Sequence, residues 1–137
     1  GVTGESSDES WAFERDYTAS PEHIDELGHV NNAVWVQWIQ DIAVGHWHAV
    51  ASARHIETYI WVVTRHEIDY RGNIALGETA HGRTRAHGEP RGAQFHRAVE
   101  YTDASGKVLV SAMTRWAMLD LKTLRPARIT QEIAELF

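Results

Sequence analysis

The chain of 137 residues contains no cysteine, so disulfides, thiolate nucleophiles and cysteine-based zinc sites are excluded. No apolar run approaches the ~20 residues that cross a bilayer, so no membrane partner is expected. Positively charged residues are also fewer than negatively charged ones: 13 Lys and Arg against 19 Asp and Glu, which gives a formal net charge of −6. This sign opposes binding to a phosphate backbone, so nucleic acid is not an expected partner. Any nucleophile is an oxygen or a nitrogen.

The composition, 43% hydrophobic and 23% charged, is typical of one globular domain of this length. Residues 1–10 are small and polar, and we expect them to form a flexible N-terminal lead. They lack the basic start and the apolar stretch of a secretory signal. The sequence thus predicts one domain over residues 11–137 and, by elimination, a cytoplasmic protein.

One long amphipathic helix is predicted from Asn31 to about Val50. Its apolar residues recur at helical spacing; they are Val34, Trp35, Trp38, Ile39, Ile42, Ala43, Trp47 and Val50. Asn31 suits the N-cap, where its side chain accepts a free backbone N–H. Gly45 costs the helix about 1 kcal/mol relative to Ala, so we expect a sheet to approach the helix closely there. We interpret Trp38 and Trp47 as core residues.

Five segments have the composition of β-strands. They are residues 11–17, 59–70, 76–87, 93–101 and 107–119. Turns containing glycine separate the last four, so successive strands are predicted to pair as antiparallel hairpins. A short C-terminal helix is predicted over residues 130–137. One helix against one antiparallel sheet is an α+β architecture. Its unpaired edge and uncovered face favour a homodimer or a dimer of dimers, a homotetramer.

The segment that enters the long helix carries the candidate chemistry. It reads His23-Ile24-Asp25-Glu26-Leu27-Gly28-His29-Val30-Asn31-Asn32-Ala33-Val34-Trp35. This pattern resembles the hotdog-fold thioesterases of the hydroxybenzoyl-CoA and long-chain acyl-CoA type. Their pattern is Asp, two residues, Gly-His-Val-Asn-Asn-Ala, then an aromatic residue two positions later. Weaker similarity continues to residue 129. The resemblance implies a hotdog fold, in which a five-stranded antiparallel sheet wraps a long central helix.

The resemblance also implies catalytic roles. Asp25 would attack the thioester carbonyl or activate a water molecule, the backbone N–H of Asn32 would donate to the carbonyl oxygen, and His29 would support them. A thioester is already an activated acyl group, so one carboxylate can suffice. Free N–H groups at a helix start suit the negative charge that develops on the carbonyl oxygen. The alternative for Asp25 is a turn residue that bonds its own backbone.

Substrate contacts are predicted for Gly28, Asn31 and Trp35. Gly28 permits a sharp turn and close approach to the substrate, whereas Asn31 has the helix cap as its alternative role. Four arginines against one acid lie between residues 81 and 97: Arg83, Arg85, Arg91 and Arg97. The first three are candidate contacts for the phosphates of coenzyme A or the acidic surface of an acyl carrier protein. Their alternative is a solvated pair of strands.

No metal is expected. His46 and His48 are two positions apart on the predicted helix and point to nearly opposite sides, and a His-Glu-x-x-His pattern is absent. No cofactor is expected beyond the coenzyme A that belongs to the substrate.

Two other functions stay open for the same scaffold: hydration of an enoyl thioester and non-catalytic binding of an acyl group or acyl-CoA. Hydration usually pairs a His and an Asp in a different motif. The chain also departs from the family pattern at three places, of which one is Trp35, where tyrosine is common. His23 stands where a second acid is common, and residues 71–73, Arg-Gly-Asn, stand where Arg-Pro-Ala is common.

Overall fold

The computed structural model describes residues 10–137, so the predicted lead lies almost wholly outside the described residues. In chain order the elements are β1 (Phe13–Thr18), α1 (Asn32–Val50), α2 (Ala53–Thr58), β2 (Tyr59–Tyr70), β3 (Thr79–Arg91), β4 (Gln94–Thr102), β5 (Val108–Asp120) and α3 (Gln131–Ala134). The five strands, the long helix and the C-terminal helix are confirmed, whereas α2 was not predicted. None of the helices in residues 10–137 has the length and apolarity to span a membrane.

The strands form one antiparallel sheet in the order β1-β3-β4-β5-β2. β3 pairs with β4 and β4 with β5, as the predicted hairpins require. The predicted pairing of β2 with β3 is wrong, because β2 pairs with β5 and β1 with β3. The N–H groups of Arg71 and Gly72 both donate to the carbonyl oxygen of Leu109, at 2.8 and 2.9 Å. These bonds fix the end of β2 next to β5. Residues 71–78 then connect β2, at one edge of the sheet, to β3 near the other edge.

The apolar face of α1 packs on the inner face of the sheet. Two clusters of buried side chains result, and Trp38 and Trp47 are confirmed as core residues at 7% and 5% exposure. The first cluster surrounds Trp35, Trp38 and Tyr101 and includes Val30, just before the helix. The second contains Trp47 and is closed by α3. The start of α1 thus rests on a well-packed core.

Two glycines allow close packing between α1 and the sheet. A Cβ atom on Gly82 would lie 2.4 Å from Cε1 of Tyr101 and 3.0 Å from Cδ1 of Ile42. A Cβ atom on Gly45 would lie 2.8 Å from the guanidinium nitrogens of Arg15 on β1. What lies against Gly45 is thus the end of a flexible side chain of β1, and the close approach of the sheet itself stays a prediction.

Arg97, which the sequence groups by charge with Arg83, Arg85 and Arg91, lies in the core. Side chains alternate along a strand, and the face of β4 that carries this residue points toward α1. Arg97 is 2% exposed, and its Nη1 donates to Nδ1 of His46 at 2.9 Å and Oγ1 of Thr84 at 3.2 Å. Burial lowers the pKa of Arg97 to about 10. Burial and the charge of Arg97 lower the pKa of His46 to about 4, so His46 accepts this bond as a neutral ring.

Candidate active site

The candidate site is a closed loop ahead of α1. Ile24 and Val30 form an isolated antiparallel bridge at its base. Inside the loop, the N–H of Asp25 donates to the carbonyl oxygen of His29 at 2.8 Å, and the N–H of Gly28 donates to that of Asp25 at 3.1 Å. Gly28 has φ of 80°, in the left-handed region that favours glycine. The sharp turn predicted at Gly28 is confirmed.

The carboxylate of Asp25 is held by one of its two oxygens. Oδ1 accepts the N–H groups of Leu27 at 2.9 Å and His29 at 3.2 Å. Oδ2 accepts no hydrogen bond from any residue of the described range 10–137. The turn role of Asp25 is therefore present, and it is compatible with catalysis because it orients the carboxylate and leaves one oxygen for a reactant. The catalytic role stays a prediction.

One amide at the start of α1 lacks a partner within the described chain. Asn31 is confirmed as the N-cap, since its Oδ1 accepts the N–H of Ala33 at 2.8 Å. Its carbonyl oxygen accepts the N–H groups of Val34 at 2.9 Å and Trp35 at 3.2 Å. The N–H of exposed Asn32 has no such acceptor among residues 10–137. It lies at the positive end of a 19-residue helix, where an anionic oxygen is stabilised.

Two residues that the sequence analysis noted only as departures from the family pattern hold this loop. Asn73 accepts the N–H of Val30 through Oδ1 at 3.1 Å and donates from Nδ2 to the carbonyl oxygen of Val30 at 3.0 Å. On the other side, the carbonyl oxygen of His23 accepts the N–H of Asn31 at 2.9 Å. Neither role was predicted. The role of Asn73 could have been indicated only by its side-chain chemistry, because an asparagine amide both donates and accepts hydrogen bonds.

The other predicted residues of this segment separate into core and surface. Trp35 is fully buried, with its ring centroid 5.1 Å from that of Trp38 and 5.5 Å from that of Tyr101. Its position does not support the predicted substrate contact, because a ligand would have to open the core to touch it. His29 is exposed and takes part in the loop through its main chain. Leu27, which was not predicted as a site residue, is 80% exposed at the loop tip.

The predicted arginines do not form one basic patch. Arg83 and Arg85 lie on the sheet face away from α1, each with its guanidinium carbon 5.0 Å from the ring centroid of Trp11. Nε of Arg83 also donates to Oε1 of Glu100 at 3.0 Å, so this charge is paired. Arg91 is exposed at the irregular far end of β3. The fourth arginine of the region is in the core, so Arg83 and Arg85 are the two of the four that share a surface.

The cavities identified among the described residues lie away from this loop. None of five cavities identified among residues 10–137 is lined by residues 24–32. The largest, about 460 Å³, lies on the sheet face away from α1, between Trp11, Arg85 and Met113. A thioester bound at Asp25 therefore needs a second surface to cover it.

A five-stranded antiparallel sheet around one long helix, with an aspartate loop ahead of that helix, is the architecture of the hotdog thioesterases. Residues 10–137 match the family model described as the acyl-ACP thioesterase N-terminal domain. The chain belongs to this family, whose class of chemistry is the hydrolysis of a thioester. The resemblance to hotdog thioesterases is confirmed.

Solved structures share the fold at low sequence identity. A thioesterase from Thermus thermophilus, solved with coenzyme A and Zn, superposes with a TM-score of 0.77 at 22% identity over 92% of this chain and 92% of that one. The probable thioesterase YbaW from Escherichia coli gives 0.75 at 19% identity over 91% and 96%. A putative oleoyl thioesterase from Lactobacillus plantarum gives 0.81 at 17% identity over 91% of this chain and 50% of that one. No curated protein matches the chain.

Proposed function

We propose that this protein hydrolyses an acyl thioester of coenzyme A or of acyl carrier protein to a free acid and a thiol, with Asp25 as the reactive carboxylate. One observation carries the proposal. The Asp25 carboxylate, with one open oxygen, lies just inside the loop closed by the Ile24–Val30 bridge, and the Asn32 N–H, without a partner in the described chain, lies two residues beyond that bridge at the start of α1. These are the two groups that addition to a thioester carbonyl requires, a base or nucleophile and a donor to the developing oxyanion.

The proposed reaction begins when the thioester carbonyl oxygen accepts the N–H of Asn32. Asp25 then takes a proton from a water molecule whose oxygen adds to the carbonyl carbon, or it adds to that carbon itself. The carbonyl oxygen becomes an oxyanion that the Asn32 N–H stabilises, a contribution on the order of 10²–10³ in kcat for one such donor. The C–S bond then breaks and the thiolate leaves, taking the proton from Asp25 in the first route and a proton from solvent in the second. In the second route the acyl group stays on Asp25 as a mixed anhydride, which a water molecule hydrolyses to the free acid and the Asp25 carboxylate. No metal or further cofactor takes part in these proposed steps.

A second copy of this chain supplies the missing cover in the proposed assembly. β2 is 12 residues long and lies at an edge of the sheet, where unpaired N–H and C=O groups invite another strand. It also presents three exposed large apolar side chains, Ile60, Val62 and Tyr70. We therefore propose a homodimer, with association of two dimers through the sheet faces as its larger form.

Light scattering of the full chain tests this assembly. The expected mass is twice the 15.5 kDa of one chain, or four times for the dimer of dimers, at micromolar concentration. A mass of one chain at concentrations that give full activity would contradict the proposed assembly, because the catalytic groove would then need no partner.

Two carriers are compatible with the proposal. The matched family is described by its acyl-ACP activity, whereas the Thermus thermophilus structure contains coenzyme A. Arg83 and Arg85 are the proposed contacts for the carrier's phosphates, and Gly28 and Asn31 line the approach to the thioester. Glu100 already neutralises the charge of Arg83. We therefore expect acyl carrier protein to be the better substrate only if its acidic surface also contacts cations other than Arg83 and Arg85.

Thiol release from both carriers tests the function. Short, long and aromatic acyl groups are presented on coenzyme A and on acyl carrier protein, and the thiol is measured with a chromogenic disulfide. We expect at least one thioester to be hydrolysed more than about a hundredfold faster than in buffer, since one oxyanion donor alone provides that factor. Tight binding of acyl-CoA without thiol release would instead favour the non-catalytic acyl-binding function.

A further inference from the structure

We propose that Asn73 is a positioning residue for the reaction, because its side chain holds Val30, which joins the loop that carries Asp25 to the helix start that carries the Asn32 N–H. This inference rests on the proposed function. Asn73 belongs to residues 71–78, the segment that crosses from β2 to β3 and contains none of the predicted catalytic residues.

The contact that carries this inference is a clamp on one residue's backbone. Val30 is fully buried and lies two residues before Asn32, opposite Ile24 in the bridge that precedes Asp25. The Asn73 side chain engages both sides of it, accepting its N–H at 3.1 Å and donating to its carbonyl oxygen at 3.0 Å. The same Oδ1 accepts the N–H of Ile74 at 2.8 Å, so the side chain is fixed to its own backbone.

The Asn73 side chain bonds both the N–H and the carbonyl oxygen of Val30, as the main chain of a neighbouring strand would. The main chain of residues 71–78 reaches Val30 through one bond, from the Val30 N–H to the carbonyl oxygen of Ile74 at 3.2 Å. Within the described residues, the donor to the buried Val30 carbonyl oxygen is the amide group of Asn73. A buried carbonyl oxygen that loses its hydrogen-bond donor carries a free-energy cost. The loop can avoid that cost by shifting Val30 toward water, and such a shift moves Asn32 relative to Asp25. Errors of about 1 Å in such placement reduce catalysis on the order of a hundredfold.

Asn73→Asp is the decisive substitution because it preserves shape and removes only the donor. At neutral pH the new carboxylate faces the Val30 carbonyl oxygen and repels it. We expect kcat at pH 7.5 to fall at least tenfold, while KM changes less than about twofold because no substrate contact is lost. As the pH falls toward the aspartic acid pKa of about 4, the protonated side chain regains an O–H donor. At pH 4 about half of the side chains are protonated, so the ratio of variant to wild-type kcat should be several-fold higher there than at pH 7.5.

Glu78→Gln is the matched control. Glu78 lies in the same segment and also bonds a backbone N–H, that of Ala75 at 2.7 Å, but it does not touch the loop. We expect this variant to keep wild-type kcat and a flat ratio across pH. Asn73→Ala, which can neither donate nor regain a donor, should lose activity and show no recovery in acid.

Amide hydrogen exchange provides a readout that needs no activity. Exchange at the Val30 amide and at the Asn31 amide, which bonds the carbonyl oxygen of His23 at 2.9 Å, should be at least tenfold faster in Asn73→Asp than in wild type and unchanged in Glu78→Gln. Asn73→Asp with wild-type kcat, or Glu78→Gln with an equal loss, would overturn the positioning role. If wild type releases no thiol, the proposed function fails, and unchanged exchange in Asn73→Asp would separately remove the clamp.

Discussion

Replacing Asp25 with Asn is expected to lower kcat for thiol release at least 10³-fold, a barrier increase of about 4 kcal/mol. The amide oxygen of the new side chain can still accept the N–H groups of Leu27 and His29, which bond Oδ1 in the wild type at 2.9 and 3.2 Å. The loop should therefore keep its shape. What is lost is the negative charge on the open oxygen, without which the residue can neither take a proton from water nor attack a carbonyl. Steady-state kinetics and the urea midpoint of unfolding, measured together, check this result.

Asp103→Asn is a closely matched control for this substitution. Oδ1 of Asp103 accepts the N–H groups two and four residues later, of Ser105 at 2.9 Å and Lys107 at 3.0 Å. Asp25 has the same pattern in its own loop. Asp103→Asn removes the same charge from the same kind of turn and should leave kcat unchanged. Equal rates for Asp25→Asn and wild type would assign the chemistry to another residue and return Asp25 to its turn role.

The largest expected effect on stability comes from Gly82→Ala. The added Cβ atom would lie 2.4 Å from Cε1 of Tyr101. That ring cannot easily retreat, because it is fully buried and its hydroxyl donates to the carbonyl oxygen of Trp38 at 2.6 Å. Overpacking of this kind costs about 2–3 kcal/mol. Urea denaturation should show a lower midpoint for Gly82→Ala with an unchanged slope.

Gly45→Ala adds the same atom and should have little effect. Its Cβ atom would meet only the guanidinium end of Arg15, which is flexible. Alanine in the helix gains about 1 kcal/mol, and disturbing the exposed ion pair of Arg15 with Asp41 loses up to about 1 kcal/mol. Stability should therefore change by less than about 1 kcal/mol. A loss in Gly45→Ala as large as that in Gly82→Ala would show that the packing of α1 on the sheet has been misread.

The fold was largely predictable because its signals are local. Helical spacing located α1 within one residue at its start, and Asn31 was correctly identified as its cap. The strand pairing was predictable only in part. The glycine turn after Tyr70 was interpreted as a hairpin between β2 and β3. In the structure β2 pairs with β5, and the bonds at its end join Arg71 and Gly72 to Leu109, at least 37 residues away in sequence. Pairing between segments so far apart leaves no local sequence pattern.

The candidate site shows the same division. The motif placed Asp25, Gly28 and the cap of α1 in one loop, and the structure has them there. It could not show that Trp35 faces the core, since an aromatic residue at that helical position suits both core and pocket. Arg97 was grouped with its neighbours by charge, although the alternation of β4 turns its side chain inward. The clamp by Asn73 depends on a long-range contact that spacing does not reveal.

The central claim is that a thioester carbonyl binds between the Asp25 carboxylate and the Asn32 N–H. The most direct test is the structure of the protein with an acyl-CoA analogue in which a methylene group replaces the thioester sulfur, leaving the carbonyl intact but not hydrolysable. We expect the carbonyl oxygen within about 3 Å of the Asn32 nitrogen, as an N–H donor requires, and Oδ2 of Asp25 facing the carbonyl carbon. A carbonyl bound away from this loop, for example in the cavity beside Trp11 and Met113, would contradict the claim.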